Sequence, residues 1–184
     1  CDPLTYVMCV EELSKVCATT GVIVSAHTSL CIDPIMTYGT EEQKQKFLRP
    51  LVDGSKIGCF GLTEPGAGTD ASGVKTTAKL DGDHYVLNGQ KVFTTNSGFA
   101  DTFVVFAITD RKAKTSKRLS AFILDRTMEG LSVSNDIPRM GIRAASNCEV
   151  AFTNVKVPAD RLLGKEGGGY KIAMTALGGG RIGI

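Results

Sequence analysis

Leu62-Thr63-Glu64-Pro65-Gly66-Ala67-Gly68-Thr69-Asp70 follows directly on an apolar run, Ile57-Gly58-Cys59-Phe60-Gly61. The run reads as a strand, and the stretch after it as a turn dense in hydroxyls and bare backbone. Pro65 fixes one φ angle. Gly66 and Gly68 are expected to take positive φ and to let a ligand approach the backbone with no Cβ in the way. Thr63 and Thr69 flank that backbone with hydroxyls able to donate or accept. Further along, Lys91-Val92-Phe93-Thr94-Thr95-Asn96 adds an aromatic face beside more hydroxyls. Such a surface suits a large polyfunctional ligand with carbonyls, ring nitrogens and phosphates.

Outward from these motifs the period of the apolar residues divides the chain. Tyr6, Val7, Val10, Leu13, Val16 and Cys17 recur at helical spacing, with Glu11, Glu12 and Lys15 opposite them. Gly21 is expected to interrupt or end that helix. Val22 to Tyr38 is apolar nearly all round, which predicts a buried helix stopped at Gly39. Thr40 opens a further helix in a capping-box arrangement with Gln43, its acids first and its bases later, and Pro50 with Gly54 marks its end or a kink. From Gly58 the period becomes two. Asp81-Gly82 and Asn88-Gly89 read as turns bracketing His84–Leu87. Phe103–Ile108 and Leu119–Leu124 read as strands separated by the basic loop Arg111–Arg118, with further strands at Leu131–Ser134, Asn147–Phe152 and Val155–Val157. After the glycine-rich Gly164–Gly169, Tyr170–Leu177 again reads as helix. The expected fold class is α+β multidomain: an N-terminal helical segment (1–57), a central antiparallel β-barrel or sandwich (58–160), and the start of a C-terminal helical bundle (161–184).

Composition narrows the function. The 184 residues are 42% hydrophobic and 22% charged, ordinary for a globular chain. A net charge of +2, with both signs mixed along the sequence, argues against nucleic acid or an anionic membrane surface as partner. No apolar run approaches the roughly 20 residues of a membrane span. The six cysteines form no C-x-x-C pair and there are two histidines, so no metal site is expected. Cys59, in its strand, and Cys9, Cys17 and Cys31, in helical patterns, each read as small buried hydrophobes in a reducing compartment. His27 reads as a packed or exposed helix residue and His84 as solvent-facing. A hydrolase lacks support, with no G-x-S-x-G and few histidines to serve as base. Gly66-Ala67-Gly68-Thr69-Asp70-Ala71 fits a loose G-x-G-x-x-A pattern, but Val74–Lys79 reads as strand where a dinucleotide fingerprint needs helix.

The two motifs together resemble the acyl-CoA dehydrogenase family, in particular its short-chain, butyryl-CoA-type members. Gly39-Thr40-Glu41-Glu42-Gln43-Lys44, Gly141-Ile142-Arg143-Ala144-Ala145-Ser146, Val155-Lys156-Val157-Pro158 with Leu163-Gly164, and Gly179-Gly180-Arg181-Ile182-Gly183-Ile184 extend the resemblance over essentially the whole chain. It implies an FAD-dependent α,β-dehydrogenation of short-chain acyl-CoA thioesters, with electrons passed to electron-transfer flavoprotein. By this resemblance Phe60, Leu62, Thr63, Thr69, Phe93, Thr94 and Thr95 form the cofactor set. Leu62 and Thr63 would meet the pyrimidine end of the flavin, and Phe93, Thr94 and Thr95 would line one ring face. Many members carry Trp where this chain has Phe93. Thr69 would also touch the acyl-CoA, together with Gly178, Gly179, Gly180 and Arg181, the last supporting catalysis. Family members often carry Asp at the position of Gly178. The glutaryl-CoA subfamily uses an early arginine whose place is taken here by Gly21.

The catalytic base implied is a glutamate. Some relatives place it just before the arginine of the last helix, where this chain has Gly180, so the base is expected beyond residue 184 and these residues alone are expected to show no turnover. The resemblance also implies a homo-oligomer (dimer of dimers) in the full-length enzyme, located in a bacterial cytoplasm or the mitochondrial matrix. The competing reading is a non-catalytic flavin- or CoA-binding β-domain module.

Overall fold

A computed structural model of the chain describes residues 2–183; Cys1 and Ile184 lie outside the described residues. Helix α1 (Pro3–Val16) starts where the Asp2 carboxylate accepts the Thr5 N–H at 3.0 Å, with Pro3 in the first turn. It ends at Cys17, whose backbone is extended, and α2 (Ala18–Ser25) follows at once. The break therefore falls four residues before Gly21. Gly21 serves a different purpose: a Cβ there would lie 2.0 Å from Ser14 Oγ, so its bareness lets α2 lie against α1.

A π-helical turn (Ala26–Ile32) leads into α3 (Asp33–Tyr38), which stops at Gly39 as expected. Thr40 and Gln43 form the capping box at the head of α4 (Glu41–Gln43). A second π-helical turn (Lys44–Leu48) precedes α5 (Arg49–Val52). Both wide turns come just before a proline, Pro34 and Pro50. A proline inside a helix removes one i→i−4 bond and crowds the preceding turn, and the widened ladder accommodates its ring. The helix runs past Pro50 to Val52, and Gly54, with φ 79°, follows its C-cap Asp53.

Eight strands form one sheet: β1 (Gly58–Gly61), β2 (Thr77–Asp81), β3 (His84–Thr95), β4 (Thr102–Ile108), β5 (Leu119–Asp125), β6 (Leu131–Val133), β7 (Asn147–Pro158) and β8 (Leu162–Leu163). Their order is β6-β7-β3-β2-β4-β5-β8, with β1 beside β4. The helices-then-sheet-then-helix architecture holds, but the sheet is mixed and not purely antiparallel: β1 and the first residue of β2, Thr77, both pair parallel with β4. The connections that allow this are residues 62–101, between β1 and β4, and within them β3, which carries the chain back between β2 and β4. Strands β4 and β5 are buried on both faces, which explains their unbroken apolar runs. Phe103, Val105 and Ala107 point to one core with Phe122, Val150 and Val155, while Val104 and Phe106 point to a second with Ile35, Leu51, Ile123 and Ile172. The first core lies within the folded sheet; the second joins sheet to helices, including α6 (Gly169–Gly183).

Three local expectations are corrected. Asn88-Gly89 is not a turn but the point on β3 opposite a bulge in β7. The extra β7 residue lies at Thr153–Asn154, where Asn154 has φ 52° and exchanges hydrogen bonds with Asn88, so β7 is one bulged strand rather than two. Cys9 and Cys17 are exposed, whereas Cys31, Cys59 and Cys148 are buried as free thiols. His84 is half-buried, with Nδ1 3.1 Å from Asp83 and Nε2 3.9 Å from Asp81.

Candidate active site: a cleft between two motifs and the last helix

Beyond β1 the chain closes a tight Pro65-Gly66 turn, in which Glu64 and Ala67 exchange both backbone hydrogen bonds at 3.0 and 3.1 Å. Gly66 and Gly68 do not take positive φ; the expectation of a left-handed backbone there is not met. What they provide is space, since a Cβ on either would meet no protein atom within 4 Å. Asp70 then caps the short turn Ala71–Gly73, accepting from Ser72 N–H and Oγ–H, and these bonds hold its carboxyl below the usual carboxylate range.

The second motif lies on β3 where the ladder to β7 slips by one residue between Lys91 and Thr94. This bulge puts Phe93 at φ 55°, and Asn96 follows at φ 70°. A left-handed phenylalanine is uncommon and strained, so an ordinary strand position does not explain it. Its ring is 60% exposed and faces a cleft of about 490 Å³.

Phe60, Leu62, Thr63, Thr69, Phe93 and Thr95 all line that cleft. Thr94 does not; it is buried behind the wall, and its Oγ1 has no hydrogen-bond partner among the described residues. The opposite wall is helical: Ala26 and Leu30 from the first π-helical turn, and Tyr170, Met174, Leu177 and Arg181 from α6. Those four α6 residues fall at helical spacing and form one stripe. Arg181 thus stands where the resemblance places it. The structure does not bring Gly178, Gly179 and Gly180 into the lining. Gly178 and Gly179 are exposed, and Gly180 packs against the first π-helical turn, where a Cβ would come 3.1 Å from Leu30 Cδ2.

Beneath the cleft runs a polar frame that sequence reasoning passed over. Lys91 is fully buried, and its Nζ donates to Glu64 Oε1 at 2.7 Å and to the Leu62 carbonyl at 3.1 Å. Glu64, 7% exposed, also accepts from the Lys75 and Thr76 N–H groups at 2.6 and 3.0 Å. Burial pushes the Glu64 carboxyl up, but the Lys91 charge and these hydrogen bonds outweigh it and hold it below its ordinary value. Burial pushes the Lys91 ammonium down to about 8 against the pull of Glu64.

Asn96 Nδ2 donates to the Ile23 carbonyl at 3.1 Å, tying the end of β3 to α2. Arg126 clasps the following loop through the carbonyls of Ser97, Gly98 and Ala100. His27 is structural: the Gly58 N–H donates to Nδ1, so Nε2 carries the proton and donates to the Leu51 carbonyl. A signal for Lys91 and Glu64 was present, as both sit inside the motifs; what sequence does not reveal is that they are buried against each other.

Two family descriptions match the chain: "Acyl-CoA dehydrogenase, N-terminal domain" over residues 1–55 and "Acyl-CoA dehydrogenase, middle domain" over residues 59–155. A short-chain specific acyl-CoA dehydrogenase of Clostridium acetobutylicum is 57% identical over the whole of this chain and 48% of its own length. Among solved structures, butyryl-CoA dehydrogenase from Megasphaera elsdenii superposes with a TM-score of 0.95 at 51% identity, over 99% of this chain and 48% of that one. A chain in the structure described as "Electron transferring flavoprotein of Acidaminococcus fermentans: Towards a mechanism of flavin-based electron bifurcation" gives 0.96 at 53% identity over 99% and 48%. The chain belongs to the acyl-CoA dehydrogenase family. It spans about half the length of the relatives it matches.

Proposed function

We propose that this chain supplies the flavin- and substrate-facing walls of an FAD-dependent dehydrogenase acting on short-chain acyl-CoA thioesters. The carrying observation is the cleft itself, where both motifs and the α6 stripe converge and a strained Phe93 presents its ring. Its volume falls within the range of small-molecule sites. One wall, with the hydroxyls of Thr63, Thr69 and Thr95 beside the open backbone at Gly68, suits a ring system bearing carbonyls and ring nitrogens. The other, with Leu30, Met174 and Leu177, suits a short acyl chain. When bound, FAD supplies the acceptor for the hydride leaving the acyl β-carbon. Phe93 would cover an apolar ring face and keep water from it, and the hydroxyls of Thr63, Thr69 and Thr95 would orient the polar edge.

Among the described residues, Asp70 is the one carboxylate lining the cleft. Held by Ser72 and shifted to lower pKa, it is a poor acceptor for an α-proton. Glu64 is committed to Lys91 and turned from the cleft, and Glu166 accepts from the Tyr85 hydroxyl at 3.2 Å. In this reading the general base is the glutamate that the family resemblance implies, supplied from outside residues 1–184. The same observation is what favours the second reading, a flavin- and CoA-binding module without chemistry of its own. Electron-transfer flavoprotein as acceptor, a homo-oligomeric assembly and a cytoplasmic or matrix location belong to the enzyme reading. No helix among the described residues is long and apolar enough to cross a membrane.

The test is a titration of FAD followed by loss of flavin fluorescence. Saturable binding weakened about 3- to 10-fold by F93A, the loss of one aromatic contact, is the expected result. No binding would overturn the flavin assignment. Steady dye reduction by butyryl-CoA with residues 1–184 alone would overturn the assignment of the base to elsewhere.

A further inference from the structure

We propose that the buried Lys91–Glu64 pair is the positioning device of the cleft, locking the two motif segments, Leu62–Glu64 and Lys91–Thr95, in the register that presents Phe93. The proposal rests on the flavin reading only for the identity of the ligand.

Each motif is held to the other at several points, and most pass through this pair. Lys91 Nζ reaches across to the Leu62 carbonyl and to Glu64, and next to it the Val92 N–H donates to the Thr63 carbonyl at 2.9 Å. Glu64 in turn takes the Lys75 and Thr76 N–H groups, so the chain leaving the first motif is fixed by the same carboxylate. Lys91 is also the last residue in register with β7 before the bulge that carries Phe93. A left-handed Phe93 relaxes toward ordinary strand geometry unless its neighbours over-determine it. An uncharged, well-packed pair of side chains could fill the same volume with equal or greater stability. The ionic pair adds directed bonds to a specific carbonyl and specific N–H groups, which a packed apolar pair does not supply.

The surroundings isolate the pair. β1 brings Gly61, where a Cβ would come 3.3 Å from Lys91 Cγ, and β7 brings Val150 opposite Lys91. Among the described residues Glu64 is the one charged group facing Lys91.

Amide hydrogen exchange in the purified protein without ligand, read beside FAD affinity, decides the matter. The informative variant is E64Q/K91M, which leaves no unpaired charge. The expected result is a global denaturation midpoint close to wild type, with protection at Val92, Lys75 and Thr76 down at least tenfold and FAD bound at least tenfold more weakly. Wild-type protection and affinity in that variant would overturn the proposal and reduce the pair to a structural one. Should the variant not fold, the wild type suffices: protection at Val92, Lys75 and Thr76 close to that of the core amide Phe122 is expected, and protection no greater than that of the exposed loop Arg111–Arg118 would overturn the proposal. Exchange needs no ligand, so a failure of wild type to bind FAD counts against the flavin reading, and the protection factors still judge the lock.

Discussion

At the scale of the residue, Glu64 and Phe93 carry opposite signatures. The Glu64 carboxyl, raised by burial but lowered further by Lys91 and its N–H donors, sits net below its ordinary value. A group with a depressed folded pKa contributes stability that is fully present above its unfolded value, about 4.3, and lost as pH falls through the folded one. Wild type is therefore expected to lose stability in acid more steeply than E64Q, seen as urea midpoints converging between about pH 5 and pH 3. Parallel midpoints for the two proteins would show that Glu64 is not the group titrating. Phe93 stores strain at φ 55° with a mostly exposed ring, so it gives the fold little in return. F93G is expected to leave the melting temperature unchanged or to raise stability by up to about 1 kcal/mol, while weakening flavin binding. A marked loss of stability in F93G would mean that the ring packs in the protein and does not wait for a ligand.

At the scale of the element, β4 is the hinge between two cores. Phe106 faces the helical side, 4.9 Å from the Phe60 ring between centroids, and is fully buried. F106A is expected to cost about 3–5 kcal/mol in chemical denaturation, with the helical side loosening first in hydrogen exchange. The periodicities of β4, β5 and α6 and the capping box at Thr40 were legible in the sequence because each is a local pattern with one physical meaning. Gly21 and Asn88-Gly89 were not. A glycine that ends a helix and one that lets a neighbour approach look alike until the neighbour is known. An Asn-Gly pair signals a turn only when nothing across the sheet needs room for a bulge. Of the seven residues that the resemblance assigns to cofactor binding, six line the cleft, five of them legible within the two motifs and Phe60 in the strand before the first. Thr94 and Gly178–Gly180 were placed off the lining by geometry: an extra residue in β3 rotates Thr94 inward, and the helical period turns Gly178 and Gly179 away from the Leu177–Arg181 stripe.

At the scale of the whole molecule, apolar side chains remain exposed on the helices at the two ends of the chain. Leu4, Met8 and Val16 on α1 and Ile182 on α6 are exposed, Val16 by 91%. The two helices touch: a Cβ on Gly183 of α6 would come 2.6 Å from Tyr6 Cε1 of α1. Exposed apolar side chains on adjoining helices favour association. Sedimentation is expected to show concentration-dependent association that V16E and M8E reduce; an ideal monomer at every concentration would remove this expectation. The pairing of β3 with β7 has its own consequence during synthesis. One edge of residues 84–95 pairs early with β2, but the other finds its partner in residues 147–158, so a ribosome must deliver most of the sheet before the edge beside Lys91 is covered. A nascent chain arrested at residue 146 is expected to be cut readily by protease within β3, and one arrested after β8 has emerged to resist. Translation thus leaves a window in which the future cofactor wall is an open edge that a chaperone can grip.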